Sequence, residues 1–402
     1  MTSGDVEVAV VGGGPAGAVL AARLARMGHE VVVLERAPIW RWHASGVFTS
    51  PAAVSALQRA GLDEATLGAV VRPIPAMRVE TPGGTTFRLT YGTETGGDPP
   101  VGFDRSSLDP ALLGVAREAG ADVRLGCTVT ALDPASGKIE LRGPGGTPGQ
   151  LQADVVVGAD GLRSIVASTT GVTRPSRLGP RIGLSYHLRD PEAGVERDAR
   201  MRVLDDGYVG IAPVAGGRVN IGIVLGRTWR GELVRRGATA VAETIVDAIP
   251  PTEADTAAWR TAGRTDAIVG AMPLGHRVTR RAGPKWLLVG DAAGFLDPFT
   301  GEGLHRALIS AELAAAAIHA RALGHRRAFQ AYERAMQRRF LAKDGVSWLV
   351  QAFLARPLLF EYAARRIADR SAVRATMGLV MGDLVPPSRA LDPRYLVRLL
   401  AP

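Results

Sequence analysis

The sequence predicts an α/β fold in which an antiparallel β-sheet is inserted into a parallel one and helices form the C-terminus. Three observations lead to this prediction. Residues 6–35 follow a strand, glycine turn, helix, strand pattern. Residues 181–225 alternate apolar and polar side chains, which is typical of antiparallel strands. Residues 326–402 carry helical patterns with a break at Pro357.

The composition is that of an ordinary globular protein. The chain has 402 residues, of which 46% are hydrophobic and 22% charged, and this excludes intrinsically disordered and fibrous proteins. The single cysteine, Cys127, excludes a disulfide framework and a cysteine-ligated zinc site, so no metal centre is expected. No apolar run reaches the roughly 18 residues of a membrane span, and Met1–Asp5 lacks the basic start of a secretory signal. We therefore expect a cytoplasmic protein.

The first element of the α/β domain is a buried parallel strand, Val6–Val11, which leads into a glycine-rich turn. Gly12, Gly14 and Gly17 match the pattern G-x-G-x-x-G. The first glycine makes the tight turn, the second lets the backbone approach a pyrophosphate, and the third allows close packing of helix and strand. Glu35 ends the second strand, where it is placed to accept hydrogen bonds from a ribose. The sequence therefore predicts a Rossmann-like dinucleotide-binding domain.

The remaining patterns divide the chain into three units. The dinucleotide-binding domain is discontinuous and comprises residues 1–73, 101–180 and 265–325. A substrate-binding β-sheet domain comprises residues 74–100 and 181–264, and a helical region comprises residues 326–402. Within these units, one helix is predicted over Ala238–Ala248 and another from Gly303 to about Ala322.

Three segments of the chain occur in a fixed order that resembles one family. They are Gly12–Gly17 with Glu35, then Gly158–Gly161 with Arg163 and Ser164, then Gly290–Gly294 with Pro298 and Gly301–Gly303. Together they resemble the signatures of FAD-dependent oxidoreductases built like para-hydroxybenzoate hydroxylase and geranylgeranyl reductase. The resemblance covers residues 1 to about 320 and implies an FAD-binding domain.

The resemblance also implies which residues hold the cofactor. Asp291 is implied to bind the ribityl hydroxyls of FAD, and the helix from Gly303 is implied to point its N-terminus at the flavin pyrimidine edge. Arg105 stands where the family places an arginine that contacts phosphate or flavin, with a salt bridge as the alternative. The implied FAD-binding residues are Gly12, Gly14, Ala16, Gly17, Glu35, Arg36, Arg105, Val129, Asp160, Gly161, Asp291, Pro298, Gly301, Gly303 and Leu304.

The electron donor implied by the resemblance is NADPH or NADH, which would visit the flavin transiently. No second complete G-x-G-x-x-G pattern follows a strand, which agrees with family members that lack a separate nicotinamide domain. Ferredoxin or another flavoprotein is the alternative source of electrons.

Three reactions are open on such a flavin: hydroxylation, reduction of an isoprenoid double bond, and halogenation. Halogenation is disfavoured because Gly207–Pro213 lacks the tryptophans of the halogenase segment Trp-x-Trp-x-Ile-Pro. Gly294–Gly303 and Gly46–Pro51 resemble the reductase branch. However, no cysteine immediately precedes the second of these segments, and the Tyr-x-Trp-x-Phe-Pro signature of that branch is incomplete.

These departures favour a monooxygenase that hydroxylates a hydrophobic or aromatic small molecule through a flavin hydroperoxide, as a tailoring step in specialised metabolism. A geranylgeranyl reductase-like enzyme acting on isoprenoid or other C=C bonds is the alternative. A non-catalytic flavin-binding protein is the second alternative.

The candidate catalytic residues are His187, Tyr208 and His305. His187 shares one face of its strand with Gly183 and Ser185, and a histidine, whose unperturbed pKa is about 6.5, suits a general base. Each candidate has a structural alternative, namely a hydrogen-bonded sheet residue for His187 and Tyr208 and an ordinary helix residue for His305. Further residues considered on the same grounds are Trp40, Trp42, Arg202 and Asn220.

Positive charge is concentrated near the C-terminus. The net charge of the chain is +9, and residues 319–402 contain 15 basic and 6 acidic side chains, so the preceding residues are neutral overall. In this region Val346–Phe353 and Leu358–Tyr362 are apolar and are interleaved with Arg356, Arg365 and Arg366. One interpretation is a helical cap; the other is docking of an acidic carrier protein or an anionic membrane surface. Nucleic acid is not expected as a partner.

Overall fold

A computed structural model of the chain describes residues 5–40, 42–190, 192–249 and 263–401. Residues 1–4, which belong to the N-terminal prediction, and residues 250–262 of the predicted substrate domain lie outside the described residues. The strands are β1 Asp5–Val11, β2 Val31–Glu35, β3 Phe48–Thr49, β4 Val71–Pro73, β5 Met77–Glu80, β6 Thr86–Leu89, β7 Val101–Phe103, β8 Asp122–Leu125, β9 Thr128–Asp133, β10 Lys138–Arg142, β11 Pro148–Gly158, β12 Thr173–Pro175, β13 Ile182–Arg189, β14 Ala199–Leu204, β15 Gly207–Val214, β16 Arg218–Leu225, β17 Val269–Ala271, β18 His276–Val278 and β19 Trp286–Leu288.

The α-helices account for most of the remaining chain. They are α1 Pro15–Arg26, α2 Pro51–Ala60, α3 Glu64–Val70, α4 Arg105–Glu118, α5 Ile165–Thr169, α6 Arg230–Asp247, α7 Gly303–Ala322, α8 Ala328–Leu354, α9 Pro357–Asp369, α10 Ser371–Met381 and α11 Pro393–Leu400. Among the described residues, no helix combines the length and the apolar character that crossing a membrane requires.

The first sheet is parallel at its centre and is built on β1. Its strand order is β8-β2-β1-β11-β10-β9, with β19 paired to the second half of β11. The strands β8, β2, β1, β11 and β19 run parallel, whereas β9 and β10 extend the sheet as an antiparallel hairpin. Every residue of β2 is buried, as a parallel strand covered by helices requires. α1 packs against both α4 and α7.

The second sheet separates two hydrophobic clusters. Its order is β17-β13-β16-β15-β14-β5-β6, and all neighbours are antiparallel except β14 and β5. Because side chains alternate between faces, Leu184 and Ile221 pack with Ile245 of α6 on one side. On the other side, Met201 and Tyr208 belong to a cluster that includes residues of α8, α9, α10 and α11. The C-terminal helices therefore cover one face of this sheet.

The predicted α/β fold with an inserted antiparallel sheet and a helical C-terminus is confirmed, but two boundaries differ. The helical region of α6 begins at Arg230 because a first helical segment precedes Gly237, whose φ of 78° and ψ of 163° are not helical; the predicted helix from Ala238 is the second segment. Val269–Ala271 pairs with β13, so the inserted sheet takes a strand from beyond the predicted boundary at residue 264. A three-residue strand is too short to show a period in the sequence. The other domain boundaries stay predictions.

Candidate active site

The site is built around the turn between β1 and α1. Gly12 has a φ of 101°, and a Cβ there would lie 2.6 Å from the carbonyl oxygen of Ala159. A Cβ on Gly17 would lie 2.0 Å from the carbonyl oxygen of Gly12. Both positions therefore require glycine. Gly14 and Ala16 line a cavity in front of the N-terminus of α1, where free N–H groups favour an anion.

Glu35 closes one side of this turn. Its carboxylate is buried and accepts hydrogen bonds from the backbone N–H groups of Gly13, at 2.7 Å, and Ala37, at 2.8 Å. These bonds hold the carboxylate at the cavity wall, and each oxygen keeps a lone pair for a further donor. Glu35 is thus placed to accept hydrogen bonds from two neighbouring hydroxyl groups. Arg36, the next residue, also lines the cavity.

Arg105, the first residue of α4, lies beside the glycine turn. Its Nη2 is 3.3 Å from the position that a Cβ on Gly14 would take. The guanidinium donates two hydrogen bonds, of 2.5 and 2.6 Å, to the buried carboxylate of Asp109. Burial opposes the charge of Arg105, but Asp109 outweighs this effect and the pKa of the guanidinium is raised. The arginine therefore presents a cation next to the helix N-terminus, as a phosphate-binding site requires.

Asp160 and Gly161 follow β11 at the carboxyl end of the first sheet, and both line the cavity. The backbone N–H of Ile165 donates to Oδ2 of Asp160 at 2.7 Å. The other oxygen, Oδ1, is buried and has no hydrogen-bond partner among the described residues. Burial raises the pKa of this carboxyl group. Asp160 therefore both caps the segment after the strand and leaves one oxygen available to a ligand.

The segment between β19 and α7 forms the next part of the wall. Asp291 lines the cavity, and burial raises the pKa of its carboxyl group. The wall continues with Pro298, Gly301, Gly303 and Leu304. Gly301 has a φ of 66°, and a Cβ there would lie 2.8 Å from the ring of Phe48. Since α7 begins at Gly303, the N-terminus of this helix meets the cavity with little side-chain cover.

The chemistry of this part of the cavity fits an FAD molecule. Several buried polar atoms of residues on its wall have no hydrogen-bond partner among the described residues; they are Trp40 Nε1, Ser45 Oγ, Asp160 Oδ1 and Thr300 Oγ1. A glycine turn at a helix N-terminus, a carboxylate beside it and unpaired polar atoms along the wall suit a dinucleotide with a polar ring system. All of the predicted FAD-binding residues line the cavity except Gly17, which acts through its packing on Gly12.

We call the part of the cavity that is lined by the predicted FAD-binding residues the FAD cradle. The cavity continues beyond this cradle to the C-terminal helices, and its total volume is about 1270 Å³. We call the far part the apolar chamber and define it by Met77, Val79, Phe87, Leu89, Val346, Leu349, Val350, Phe353, Phe360, Ala363, Ile367, Met377, Val380, Met381, Ala390, Tyr395 and Leu399. None of these lining residues is charged. The sequence prediction missed this chamber, although Phe360, Ala363 and Ile367 repeat at the spacing of one helix face.

Between the two ends, the second sheet presents a short polar row to the cavity. Ser185 and Asn220 line the wall, and Nδ2 of Asn220 donates to Oγ of Ser185 at 3.1 Å. Trp42 covers the next position with its ring and donates from Nε1 to the carbonyl oxygen of Ser185 at 3.4 Å. Ser185 also donates to the carbonyl oxygen of Ile221, and Asn220 to that of Tyr186, so the row is a hydrogen-bonded polar strip on the sheet wall.

His187 lies at the end of this row but is not among the described residues that line the cavity. Its Nδ1 is 2.7 Å from Oδ2 of Asp266, and its Nε2 is buried without a partner among the described residues. The ring of Trp42 packs against the imidazole with centroids 4.2 Å apart. Burial lowers the pKa of His187, so the ring is neutral at neutral pH. A role as a base stays a prediction, and it requires Trp42 to move aside.

Tyr208 lines the cavity, and its hydroxyl donates to Oδ1 of Asp297 at 2.6 Å. Oδ2 of Asp297 accepts from Arg181 at 2.5 Å. The tyrosine ring packs edge-on against Phe299, with centroids 5.0 Å apart. Burial, together with the charge of Asp297, raises the pKa of Tyr208 well above its ordinary value, so the hydroxyl keeps its proton. The sequence prediction missed Asp297 and Arg181, although Asp297 immediately precedes the predicted cofactor residue Pro298.

His305 lies one turn into α7, and the structure places it in a buried ion cluster rather than on the cavity wall. Nδ1 of His305 is 3.0 Å from Oδ2 of Asp383, and Nζ of Lys343 is 2.8 Å from Oδ1 of the same residue. Burial opposes ionisation of Asp383, but the hydrogen bond from His305 and the charge of Lys343 outweigh it and hold its pKa well below the usual range. This position favours the structural alternative for His305, and its catalytic role stays a prediction: the histidine joins α7 to α8 and to the turn after α10.

Of the other residues considered from the sequence, some line the cavity and others do not. Trp40, Cys127 and Val129 line the cavity, and Cys127 is buried there. Arg202 is not among the lining residues that the structure describes, and its Nη1 lies 3.6 Å from Oε2 of Glu80.

The fold and the cradle define a flavin-dependent oxidoreductase. Residues 5–339 match the family described as FAD binding domain, and the chain belongs to this family. Two relatives of the chain are reductases. A menaquinone reductase of Mycolicibacterium smegmatis is 30% identical over 328 residues, covering 77% of this chain and 75% of the relative. Digeranylgeranylglycerophospholipid reductase 2 of Methanopyrus kandleri is 29% identical over 329 residues, covering 77% of this chain and 76% of the relative.

Solved structures share the whole architecture. A geranylgeranyl bacteriochlorophyll reductase-like protein from Thermoplasma acidophilum has a TM-score of 0.77 at 20% identity, covering 100% of this chain and 96% of that one. The flavin-dependent halogenase CmlS has a TM-score of 0.70 at 23% identity, covering 92% of this chain and 66% of that one. At these identities the likeness concerns the fold alone, and one fold hosts several reactions.

Proposed function

We propose that the protein is an FAD-dependent reductase that saturates carbon–carbon double bonds in a long apolar chain of isoprenoid type. The observation that carries this proposal is the apolar chamber, which opens into the FAD cradle within one cavity. A chain lying in the chamber would thus extend from the C-terminal helices to the cofactor.

The lining of the chamber favours a flexible apolar substrate over a small charged one. Its walls are aliphatic side chains, methionines and aromatic rings. The charged side chain that the cavity meets on the neighbouring strand β14, Arg200, is held by Glu80 at 2.5 Å. Each buried methylene group of a substrate gains about 0.8 kcal/mol, so a chain of several isoprene units draws most of its affinity from this region. A charged head would lose its hydration there without compensation.

The relatives support the same substrate class. One of them is named a menaquinone reductase and the other a digeranylgeranylglycerophospholipid reductase. We transfer from these names only that a lipid with an isoprenoid chain is reduced. In this protein, the polar head group of the lipid would contact Ser185 and Asn220, and these contacts would determine which lipid is accepted.

Saturating one double bond requires a hydride and a proton. FAD, when bound and reduced, supplies the hydride. Gly12, Gly14 and Arg105 would hold its pyrophosphate, Glu35 its adenosine ribose, and Asp291 its ribityl chain. These contacts fix the cofactor so that only the substrate needs to move between cycles.

We assign the proton to the hydroxyl group of Tyr208. This hydroxyl lies on the cavity wall and is fixed by Asp297. Because its pKa is raised, it stays protonated at neutral pH. To protonate the substrate, its single O–H, which is donated to Asp297 in this structure, must turn to one alkene carbon while the hydride is delivered to the other. Solvent then restores the proton. NADPH or NADH is the proposed source of the electrons.

Replacing Tyr208 by phenylalanine tests this assignment. We expect kcat to fall by about 100-fold, with FAD content unchanged and with KM for the lipid nearly unchanged, because the ring still fills the wall. Single-turnover rates with the reduced enzyme measure the step directly. An unaltered rate would remove Tyr208 from the proton transfer.

Hydroxylation is the second candidate function, and the Asp266–His187 pair favours it. A neutral imidazole whose Nδ1 faces a carboxylate leaves Nε2 as an acceptor, which suits deprotonation of a phenol. Since Trp42 covers the ring of His187, hydroxylation requires Trp42 to move away. Reduction of a lipid in the apolar chamber requires no such movement.

The substrate class is tested by binding. Oxidised FAD-loaded protein is titrated with geraniol, farnesol and geranylgeraniol in detergent, and with simple phenols, while the flavin absorbance is recorded. We expect affinity to increase along the isoprenoid series and the phenols to bind weakly. Tight binding of phenols without a dependence on chain length would overturn the proposal in favour of hydroxylation.

A further inference from the structure

We propose that the outer faces of α9 and α11 form a docking surface for an anionic membrane. This inference deepens the proposed function, because it states where a lipid substrate would be collected. It is carried by observations on the surface of the molecule that are independent of the FAD cradle.

The first observation is a group of exposed apolar side chains on these two helices. Leu358 is 89% exposed and Val397 is 64% exposed, and the group is completed by Leu359, Tyr362 and Leu400. The two helices are joined at this surface, because the hydroxyl of Tyr362 donates to the carbonyl oxygen of Leu400 at 2.8 Å. We call these five residues the apolar ridge.

The second observation is the positive charge on the same helices. Arginines accompany the apolar ridge, namely Arg365, Arg366, Arg394 and Arg398. The guanidinium of Arg366 lies over the ring of Tyr362, 5.0 Å from its centroid. The acidic side chains of α9 are Asp369 and Glu361, which accepts hydrogen bonds from Thr81 and Thr85 and, at 3.3 Å, from Arg365. Asp392 caps α11 by accepting from the N–H of Arg394. Arginines therefore outnumber acidic residues on this surface.

The third observation concerns the opposite sides of the same helices. Phe360, Ala363 and Ile367 of α9, together with Tyr395 and Leu399 of α11, line the apolar chamber. One layer of helix thus separates the apolar ridge from the chamber. A lipid that enters here from a membrane would stay in apolar surroundings along its whole path.

This combination favours a membrane over an acidic protein as the occupant. Aliphatic side chains surrounded by arginines match the boundary between acyl chains and anionic head groups. An acidic carrier protein would also be attracted by the arginines, but it would not offer the continuous apolar surroundings that acyl chains provide between the apolar ridge and the chamber. A second copy of this chain would bring the same positive charge and would be repelled.

Sedimentation with lipid vesicles tests this inference without any turnover. The FAD-loaded protein is mixed with phosphatidylcholine vesicles that contain about one third phosphatidylglycerol, and with pure phosphatidylcholine vesicles, at low and high salt. We expect binding to the anionic vesicles that weakens as salt increases. The double variant Arg394→Gln, Arg398→Gln should bind about 25-fold more weakly, since each basic residue near such a surface contributes about fivefold. Leu358→Ser should weaken binding at both salt concentrations.

The matched control is Arg117→Gln, Arg142→Gln, which removes the same charge from exposed positions outside the two helices and should lower binding by less than about threefold. Three outcomes would each overturn the docking surface. The first is equal binding to both kinds of vesicle, and the second is an equal loss of binding in the two double variants. The third is a dimer in solution that the wild type forms and Leu358→Ser does not. Loss of vesicle binding in the ridge variants with normal reduction of detergent-dissolved geranylgeraniol would support it. Failure of reduction with intact vesicle binding would refute the proposed reaction but not the surface.

Discussion

The two ends of the cavity are built in different ways. At the cradle, backbone segments approach each other so closely that a single added Cβ at Gly12 or Gly17 would fall 2.6 or 2.0 Å from a carbonyl oxygen. At the apolar chamber, the wall consists of side chains from four helices and two strands, which can change rotamer. We therefore expect the cradle to tolerate no added side-chain atoms at Gly12 and Gly17, and the chamber to accept changes in the shape and length of a ligand.

A methyl group added at Gly17 should produce the largest effect. Gly17→Ala forces α1 away from β1, so we expect affinity for FAD to fall by at least about 100-fold and the protein to lose about 2–4 kcal/mol of stability. Flavin absorbance per mole of purified protein and thermal unfolding measure both. Gly114→Ala makes the same chemical change in α4, where a Cβ meets nothing within 4 Å, and should stabilise slightly. Similar behaviour of the two variants would contradict a rigid cradle.

Breaking the Arg105–Asp109 pair should be nearly as severe. Arg105→Met leaves the carboxylate of Asp109 buried and unpaired, which costs about 3–5 kcal/mol of stability, and it also removes the cation from the cradle. In the double variant Arg105→Met, Asp109→Leu we expect stability to return while FAD affinity stays low. Recovery of FAD binding in the double variant would show that the arginine acts only through folding.

The buried ion cluster behind the cavity should give an intermediate, pH-dependent effect. Asp383 has a φ of 57°, which asparagine also tolerates, so Asp383→Asn removes the charge that faces His305 and Lys343. We expect a loss of about 3 kcal/mol at neutral pH.

The sign of the pH dependence follows from the direction of the pKa shift. Because folding lowers the pKa of Asp383, its contribution is complete above the unfolded value of about 3.9 and is lost as pH falls further. Thermal unfolding midpoints of wild type and variant should therefore differ most near neutral pH and converge below about pH 4. Asp369→Asn, an exposed residue on α9, serves as the control. A difference between wild type and Asp383→Asn that grows in acid would contradict the charged state of the cluster.

Filling the chamber should produce the smallest and most selective effect. Ala363 lines the chamber and is buried, and Ala363→Phe occupies space that a long chain needs. We expect kcat/KM for a geranylgeranyl substrate to fall by about tenfold, with a smaller loss for a geranyl substrate and no change in FAD content. An equal loss of kcat/KM for both substrates would show that the isoprenoid chain of the substrate does not lie in the apolar chamber.

The difference between the FAD cradle and the apolar chamber also explains which parts of the site could be predicted from the sequence. The cradle depends on residue types with few substitutes, such as the glycines at positions 12, 14 and 17, the terminal Glu35 and the segment around Asp291. Such residues occur at fixed spacings in the sequence. All of the predicted FAD-binding residues except Gly17 accordingly line the cavity.

The chamber and the sheet wall were harder to predict. Phe360 and Ala363 form an ordinary apolar helix face, and the sequence does not indicate whether such a face packs against a sheet or borders a cavity. The orientation of His187 depends on Asp266 and Trp42, which are distant in the chain and meet only after folding. The buried position of His305 could not be predicted for the same reason, since its partner Asp383 comes from another helical region.

The reaction itself is tested most directly by the mass of the product formed with and without oxygen. FAD-loaded protein is reduced with dithionite, mixed with a geranylgeranyl lipid in an oxygen-free chamber, and compared with a sample mixed in oxygenated buffer. The account predicts a product that gains two hydrogen atoms per double bond in the oxygen-free sample, with matching reoxidation of the flavin. A product that forms only with oxygen and gains one oxygen atom would contradict the account and establish hydroxylation instead.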